Sequence, residues 1–276
     1  MKRILTIQDI SCVGKCSLTV ALPIISAMGV ETAIIPTAVL STHTMFQNFT
    51  FKDLADQIDP ICNHWKAEGI TFDSIYTGYL GSFEQIDMMA RVFDTFKTEE
   101  NVILVDPVMA DNGKLYPAFD EAFAAKMATL CAKADIIVPN ITEACFMTGS
   151  EYKETYDEAY AKELLLKLSK LGAKVSILTG VSFEEGKTGV MGYEAATGEF
   201  SYYCHEKLAK SYHGTGDIFS STCVGAMMSG KPWQEAVKVA ADYTAECIRL
   251  TMADPNGRFY GVNFEQAIPY LLERMK

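Results

Sequence analysis

His213-Gly214-Thr215-Gly216-Asp217-Ile218-Phe219 lies past the middle of the chain and leads into a run of small residues, Ser220 to Met228, that reads as a helix. Two glycines flank a threonine, and an aspartate stands at the first helical turn. Glycine lets the backbone take positive φ and come close to a ligand, while the unpaired N–H groups and partial positive charge of a helix N-terminus favour an anion. The stretch therefore has the layout of a phosphate hole. Asp217 has two readings at this point. It is a helix cap, worth ~1 kcal/mol, or a base that takes a proton from an attacking hydroxyl.

Outward from this motif, short apolar strands alternate with amphipathic helices. The strands expected are residues 3–8, Val30 to Val39, Ser74 to Thr77, Val102 to Val105, Ile136 to Val138 and Val175 to Thr179. A small and polar turn, Asp9 to Ser17, follows the first strand, and an apolar helix then runs to Met28-Gly29. Further helices are expected over Phe83 to Phe96 and Ala118 to Ala132, and a final long helix after Gly230-Lys231-Pro232 carries Ala236, Val239, Ala240, Tyr243, Cys247 and Leu250 on one face. This order predicts a mainly parallel sheet covered on both faces. Between 187 and 204 the pattern changes to Thr188 to Glu194 and Glu199 to Cys204 joined by Ala-Ala-Thr-Gly, an antiparallel hairpin at the sheet edge. With no glycine- or proline-rich linker and no repeat, residues 1–276 are expected to form one domain.

A formal charge of −11 argues against a nucleic-acid or anionic-membrane surface, so any anion must be bound locally. The eight cysteines are scattered without CxxC pairs and read as free thiols of a reducing compartment; with no signal segment and no long apolar run, a cytoplasmic location is expected. Gly180 to Thr188 resembles a P-loop, but five residues separate Gly180 and Gly186 and a strand follows, so no helix N-terminus completes the cradle. The four histidines lack zinc-ligand spacing, and no GxSxG elbow occurs.

Other polar groups sit where strands end, the place where ligands bind in a doubly wound sheet. Asp106 and Asp111, past one buried strand, read as turn formers or as part of a hard-cation site. Asn140 and Glu143, past another, read as a capping box or as a ligand site. Thr179-Gly180 offers a hydroxyl and an amide to a phosphate oxygen, or is only a turn. Ser41 to Thr44 and Thr77-Gly78-Tyr79 add polar strand ends in the N-terminal half.

Taken in order, a DPVxxD segment, an NxxE segment, a TG after the next strand and a late GTGD resemble the ribokinase superfamily of phosphotransferases over nearly the whole chain. Within it the resemblance is to the vitamin B6 kinases, carried by Ile7-Gln8, by Leu40-Ser41-Thr42-His43-Thr44 (similar to their FSNHT), by Thr77-Gly78-Tyr79 (their TGY) and by Asp106-Pro107-Val108-Met109. The resemblance implies a ribokinase-like three-layer α/β/α sandwich with a mainly parallel central sheet and an antiparallel edge hairpin. It also implies transfer of the γ-phosphate of ATP to the 5'-hydroxymethyl group of a B6 vitamer, with Asp217 as the base and the N–H groups of Gly214, Thr215, Gly216 and Asp217 as the anion hole. Mg2+ would be held, directly or through waters, by Glu143, Asn140 and Asp106, with Asp111 near the phosphates and Thr179 touching them. A monovalent cation such as K+ near the anion hole and a homodimer are further implications.

Leu208 and Tyr212 match positions that line the nucleotide site in these kinases, or are edge-strand core residues. Thr44 and Tyr79 match contacts to the pyridine ring, or are ordinary strand-end residues. Where the family has IQSH, this chain has Ile7-Gln8-Asp9-Ile10 with Ser11 two places later, so either Asp9 or Ser11 could face the ring nitrogen and phenolic oxygen. An aspartate there would suit a pyridinium or the amine of pyridoxamine. The nearest rival reading is a hydroxymethylpyrimidine kinase, although the early loop lacks that group's glycine-rich GSDSSGGAG-like turn. A non-catalytic nucleotide sensor is the rival from another class, and it would have no need of Asp217.

Overall fold

The computed structural model describes residues 1–276, which divide into two compact units: Met1–Tyr76 with Leu208–Lys276, and Thr77–Lys207. The first unit begins with β1 (Arg3–Ser11), α1 (Leu18–Ala27), β2 (Glu31–Leu40), β3 (Phe51–Asp53) and α2 (Ala55–Ala67), and β4 (Ser74–Thr77) ends at its boundary. Their order across the sheet is β4-β1-β2-β3, with β1 and β2 parallel and β3 antiparallel to β2. Ile4, Leu5 and Ile7 of β1 and Ile35 of β2 are fully buried, and each such side chain removed from water is worth roughly 1.5–3 kcal/mol.

The expected turn from Asp9 to Ser17 is shorter than the sequence suggested. β1 runs on to Ser11, because the β1–β2 register shifts after Gln8↔Pro36 and resumes at Ile10↔Val39, which keeps the ladder paired past the polar residues. Asp9 therefore sits on a strand, at the irregularity.

The second unit holds α3 (Phe83–Phe96), β5 (Val102–Val105), the two-residue strands β6 (Ala110–Asp111) and β7 (Lys114–Leu115), α4 (Glu121–Cys131), β8 (Ile136–Ile137), α5 (Ile141–Thr148), α6 (Glu158–Ser169), β9 (Val175–Val181), β10 (Lys187–Glu194) and β11 (Glu199–Glu206). Its strand order is β11-β10-β9-β8-β5; β5, β8 and β9 are parallel and β10–β11 is the expected antiparallel edge hairpin. The side chains of Ser82, Asp120 and Asp157 cap α3, α4 and α6, and Asp120 moves the start of α4 from the expected Ala118 to Glu121. Asn112 and Gly113, both at positive φ, turn β6 into β7, the backbone that a two-residue hairpin requires.

The chain then returns to the first unit with α7 (Thr215–Met228), α8 (Trp233–Ala253) and α9 (Phe264–Met275). The long helix beginning at Trp233 is not the last one, as the sequence had suggested. Phe264, Ala267 and Leu271 of α9 join Val239, Tyr243 and Cys247 of α8, Ile218 of α7 and Val20 and Ile24 of α1 in one buried cluster. The Tyr243 hydroxyl donates to the carbonyl of Phe264 at 2.8 Å, which satisfies the one polar atom that ring brings into the core. No helix is long and apolar enough to cross a membrane.

Candidate active site

The start of α7 bears on the cap reading of Asp217. Its N-cap is Gly214, in the left-handed conformation (φ 80°, ψ 0°), and no side chain caps the helix. A β-carbon on Gly214 would lie 2.1 Å from the carbonyl oxygen of Lys15, so the position admits only glycine. Asp217 is the third helical residue and accepts a hydrogen bond from the backbone N–H of Ser17 at 3.0 Å, an interaction spanning 200 residues. The cap reading is therefore overturned. Thr215 turns its hydroxyl back to the carbonyl of Tyr212 at 3.1 Å, while Gly216 is exposed; the first N–H groups of the helix have no partner within it.

Asp217 keeps partial exposure, yet burial pushes its carboxyl up to about 6, the Asp9 charge adds to the rise, and the Ser17 N–H opposes it. A carboxylate in that range is poised to take a proton near neutral pH. Asp9 is itself raised by burial, against hydrogen bonds from Ser17 and Ser11. The Ser17 hydroxyl donates to Asp9 Oδ1 at 2.6 Å, and that of Ser11 reaches Asp9 Oδ2 at 3.4 Å, at the outer limit of such a bond. Ser17 thus links Asp9 and Asp217, and sequence reasoning missed it. Its place just before an apolar helix was visible as a cap position; the use of its N–H by a residue 200 positions away was not. The neighbouring Cys16 thiol is pushed up to about 12 by burial first and by the Asp217 and Asp9 charges after it, which keeps it protonated.

In the same unit, His43 and His213 meet edge to face with ring centroids 5.5 Å apart. His43 Nδ1 accepts the N–H of Met45 at 3.0 Å, and burial, then His213, lowers the pKa of this ring. Thr44 stands exposed beside His43 in the loop after β2. Tyr212 packs against the helical core cluster, and Leu208 is part-buried two residues past the end of β11; neither lies on a strand.

The remaining expected residues belong to the second unit. The Asp106 N–H donates to the carbonyl of Thr77 at 3.0 Å, and its side chain is buried at the end of β5. At α5 the capping box is complete: the Asn140 side chain accepts from the Glu143 N–H at 3.0 Å, and Glu143 Oε2 accepts from the Asn140 N–H at 2.9 Å. Glu143 Oε1 also accepts from the N–H of Met109 at 3.1 Å, and Asn140 Nδ2 donates to the carbonyl of Ala110 at 2.8 Å. Both residues therefore pin the loop after β5 to the start of α5.

Glu143 is buried, and its pKa is raised well above the usual carboxylate range, by burial first and by the Asp106 charge second. Two buried carboxyl groups that carry only hard oxygen donors fit a hard divalent cation, which would favour the ionised form of Glu143. Asp111, Asn140 and Thr179 converge on a cavity of about 520 Å³ that Thr142, Tyr156 and Lys207 also line, a size within the range of small-molecule sites. The Thr179 N–H donates to the carbonyl of Pro139 at 3.0 Å, and Thr179 lies inside β9 rather than at its end. Tyr79 is part-buried, with its ring 5.7 Å from that of Phe119.

This fold, with its glycine-capped helix start and buried carboxylates, is that of a phosphotransferase of the ribokinase superfamily. Residues 21–262 match the phosphomethylpyrimidine kinase family model, and the chain belongs to that family. A Bacteroides thetaiotaomicron protein named as a phosphomethylpyrimidine kinase shares 37% identity and superposes with a TM-score of 0.94 over 98% of this chain and 93% of its own; a second crystal form of it was solved with pyridoxal, at a TM-score of 0.92. Pyridoxal kinase from Lactobacillus plantarum shares 29% identity with a TM-score of 0.90, over 99% of this chain and 97% of that one. The thiamine biosynthesis bifunctional protein ThiED of Geobacter sulfurreducens is 30% identical over 209 residues, 75% of this chain but only 40% of its own length. The chain is thus a kinase of this family, and vitamin B6 kinases are among its relatives.

Proposed function

We propose that the protein transfers the γ-phosphate of ATP to the 5'-hydroxymethyl group of vitamin B6 vitamers, with Asp217 as the base. The observation that carries this reading is the state of Asp217. It does not cap its own helix, it is held by the Ser17 N–H, and burial lifts it to about 6. The Ser17 bond alone would favour the ionised form; the net rise leaves a carboxylate able to take a proton near neutral pH. In the proposed step Asp217 Oδ takes the hydroxyl proton as the oxygen attacks the γ-phosphorus, the bond from that phosphorus to the β–γ bridging oxygen breaks and ADP leaves, and the N–H groups from Gly214 to Asp217 stabilise the charge on the transferring group.

The other roles follow the resemblance. Thr179 and Asn140 bind the nucleotide phosphates with Asp111 near them, and Leu208 and Tyr212 lie beside the nucleotide. Asp106 and Glu143 would hold Mg2+, which when bound would supply positive charge against the phosphates. Asp9, Ser11, Thr44 and Tyr79 orient the ring. The packing of Tyr212 into the helical core supports a structural share in its role. A monovalent cation, a homodimer and a cytoplasmic location belong to the same proposal; the location is supported by eight free thiols.

The pyridoxal-bound form of a relative at 37% identity supports the B6 assignment. The family description and that relative's own name support a second reading, hydroxymethylpyrimidine or its phosphate as acceptor. Assay of the purified protein with Mg-ATP against pyridoxal, pyridoxamine, pyridoxine and hydroxymethylpyrimidine separates the two. The B6 vitamers are expected to lead in kcat/KM by at least ~10-fold, and a lead of that size for hydroxymethylpyrimidine would replace the substrate while leaving the kinase chemistry in place.

A further inference from the structure

We infer that Ser17 is a positioning residue that ties the protonation state of Asp217 to that of Asp9. Three departures from ordinary behaviour meet at this one residue. Ser17 occupies the N-cap position of α1, where a serine hydroxyl usually accepts an amide N–H of its own helix, yet it makes no such bond. Its backbone lies at φ 51° and ψ −133°, a region that a residue with a β-carbon holds only when its surroundings impose it. In that conformation the N–H points to Asp217 Oδ2 at 3.0 Å while the hydroxyl points to Asp9 Oδ1 at 2.6 Å. The strained backbone and the forgone cap are both accounted for by a single demand, that of serving two carboxylates at once.

The coupling has a direction. The Ser17 hydroxyl, helped weakly by Ser11, opposes the burial that would otherwise protonate Asp9. Ionised Asp9 in turn raises Asp217. No cationic side chain interrupts this chain of effects. Lys15 reaches Glu265 at 2.6 Å, Cys16 stays protonated, and His43 and His213 face each other. The packed helices α1 and α7 contribute no charged side chain besides Asp217. Losing the Ser17 hydroxyl should let Asp9 take up a proton, remove its charge, and lower the pH at which Asp217 ionises.

The role builds on the reading of Asp217 as the base, but the coupling can be measured without turnover. Carbon-13 NMR of the full chain labelled at aspartate carboxyls would follow Asp217, assigned by the signal lost in Asp217→Asn. Its midpoint is expected to fall by about one pH unit in Ser17→Gly, Ser17→Ala and Asp9→Asn alike, with no further fall in the Ser17→Gly/Asp9→Asn double variant. Ser17→Gly keeps the N–H and suits the positive φ, so it remains informative even if Ser17→Ala folds poorly. The acid limb of kcat/KM should move with the NMR midpoint. An Asp217 midpoint unmoved in Ser17→Gly, or Ser17 and Asp9 effects that add in the double variant, would overturn the coupling. If the midpoint moves as expected while no vitamer is phosphorylated, the coupling stands and the substrate reading fails.

Discussion

Helices α5 and α7 begin with the same local arrangement, a carboxylate at the third helical position, and use it in opposite ways. At α5 the cap is Asn140, whose side chain takes the Glu143 N–H while Glu143 returns to the Asn140 N–H. That carboxylate closes its own helix end and also anchors Met109. At α7 the cap is a left-handed glycine with no side-chain bond, and Asp217 reaches out of its helix to Ser17. The Glu143 carboxylate is tied to the backbone N–H of its own cap residue, whereas the Asp217 carboxylate is tied to a backbone N–H outside its helix. Glu143 is consequently asked to do two jobs in the proposed mechanism, whereas Asp217 has one.

The largest expected effect comes from removing the Asp217 carboxylate. Asp217→Asn should slow turnover by at least ~100-fold while nucleotide still binds, read by steady-state kinetics alongside calorimetric titration of ADP. Equal turnover would erase the distinction between the two helix starts.

A second, smaller effect is expected in stability. The Asp217 carboxyl titrates at about 6 in the fold, against an ordinary value of 3.8. Its folded value is raised, so the protonated form is favoured by folding. The stabilisation is full below 3.8 and is lost as pH rises through about 6. Asp217→Asn should abolish that slope and gain on the order of 1–2 kcal/mol relative to the parent at pH 7, read from urea unfolding at pH 5 and pH 7.

The smallest change should come at α5. Asn140→Ala removes a satisfied cap and should cost about 1 kcal/mol at any pH between 5 and 8, a loss visible in urea midpoints without nucleotide. If Asn140→Ala proves neutral while Asp217→Asn destabilises, the comparison has its two members reversed.

Much of this was legible in the sequence, for identifiable reasons. The helix Phe83–Phe96 and the strands Val102–Val105 and Ser74–Thr77 have the expected bounds because apolar periodicity and a serine cap agree there. The hairpin of β10 and β11 followed from its turn residues. Helices α2 and α9, each with an internal proline (Pro60, Pro269), were not read from the sequence, nor was α6, which has none; α1 was read despite Pro23 because its run is mainly apolar. At the site, the glycines and Asp217 were visible, and so was the capping box of Asn140 and Glu143. At Asp217 the motif alone left cap and base open and the resemblance implied the base; what the sequence did not show is that the Ser17 N–H holds this carboxylate, because that contact depends on a strand, β1, that outlasts its apolar run through a register shift with β2. Local patterns specify which groups a segment offers; their use here is set by partners far away in the chain.

The pH dependence of kcat/KM tests the central claim most directly, measured between pH 5 and 8 with the best vitamer at saturating Mg-ATP, in the parent protein and in Asp217→Asn. With Asp217 as base, the parent should lose about tenfold in rate for each pH unit below an inflection near 6, and the residual rate of the variant should lack that limb. A parent profile that stays flat down to pH 5, or the same acid limb in the variant, would contradict the account.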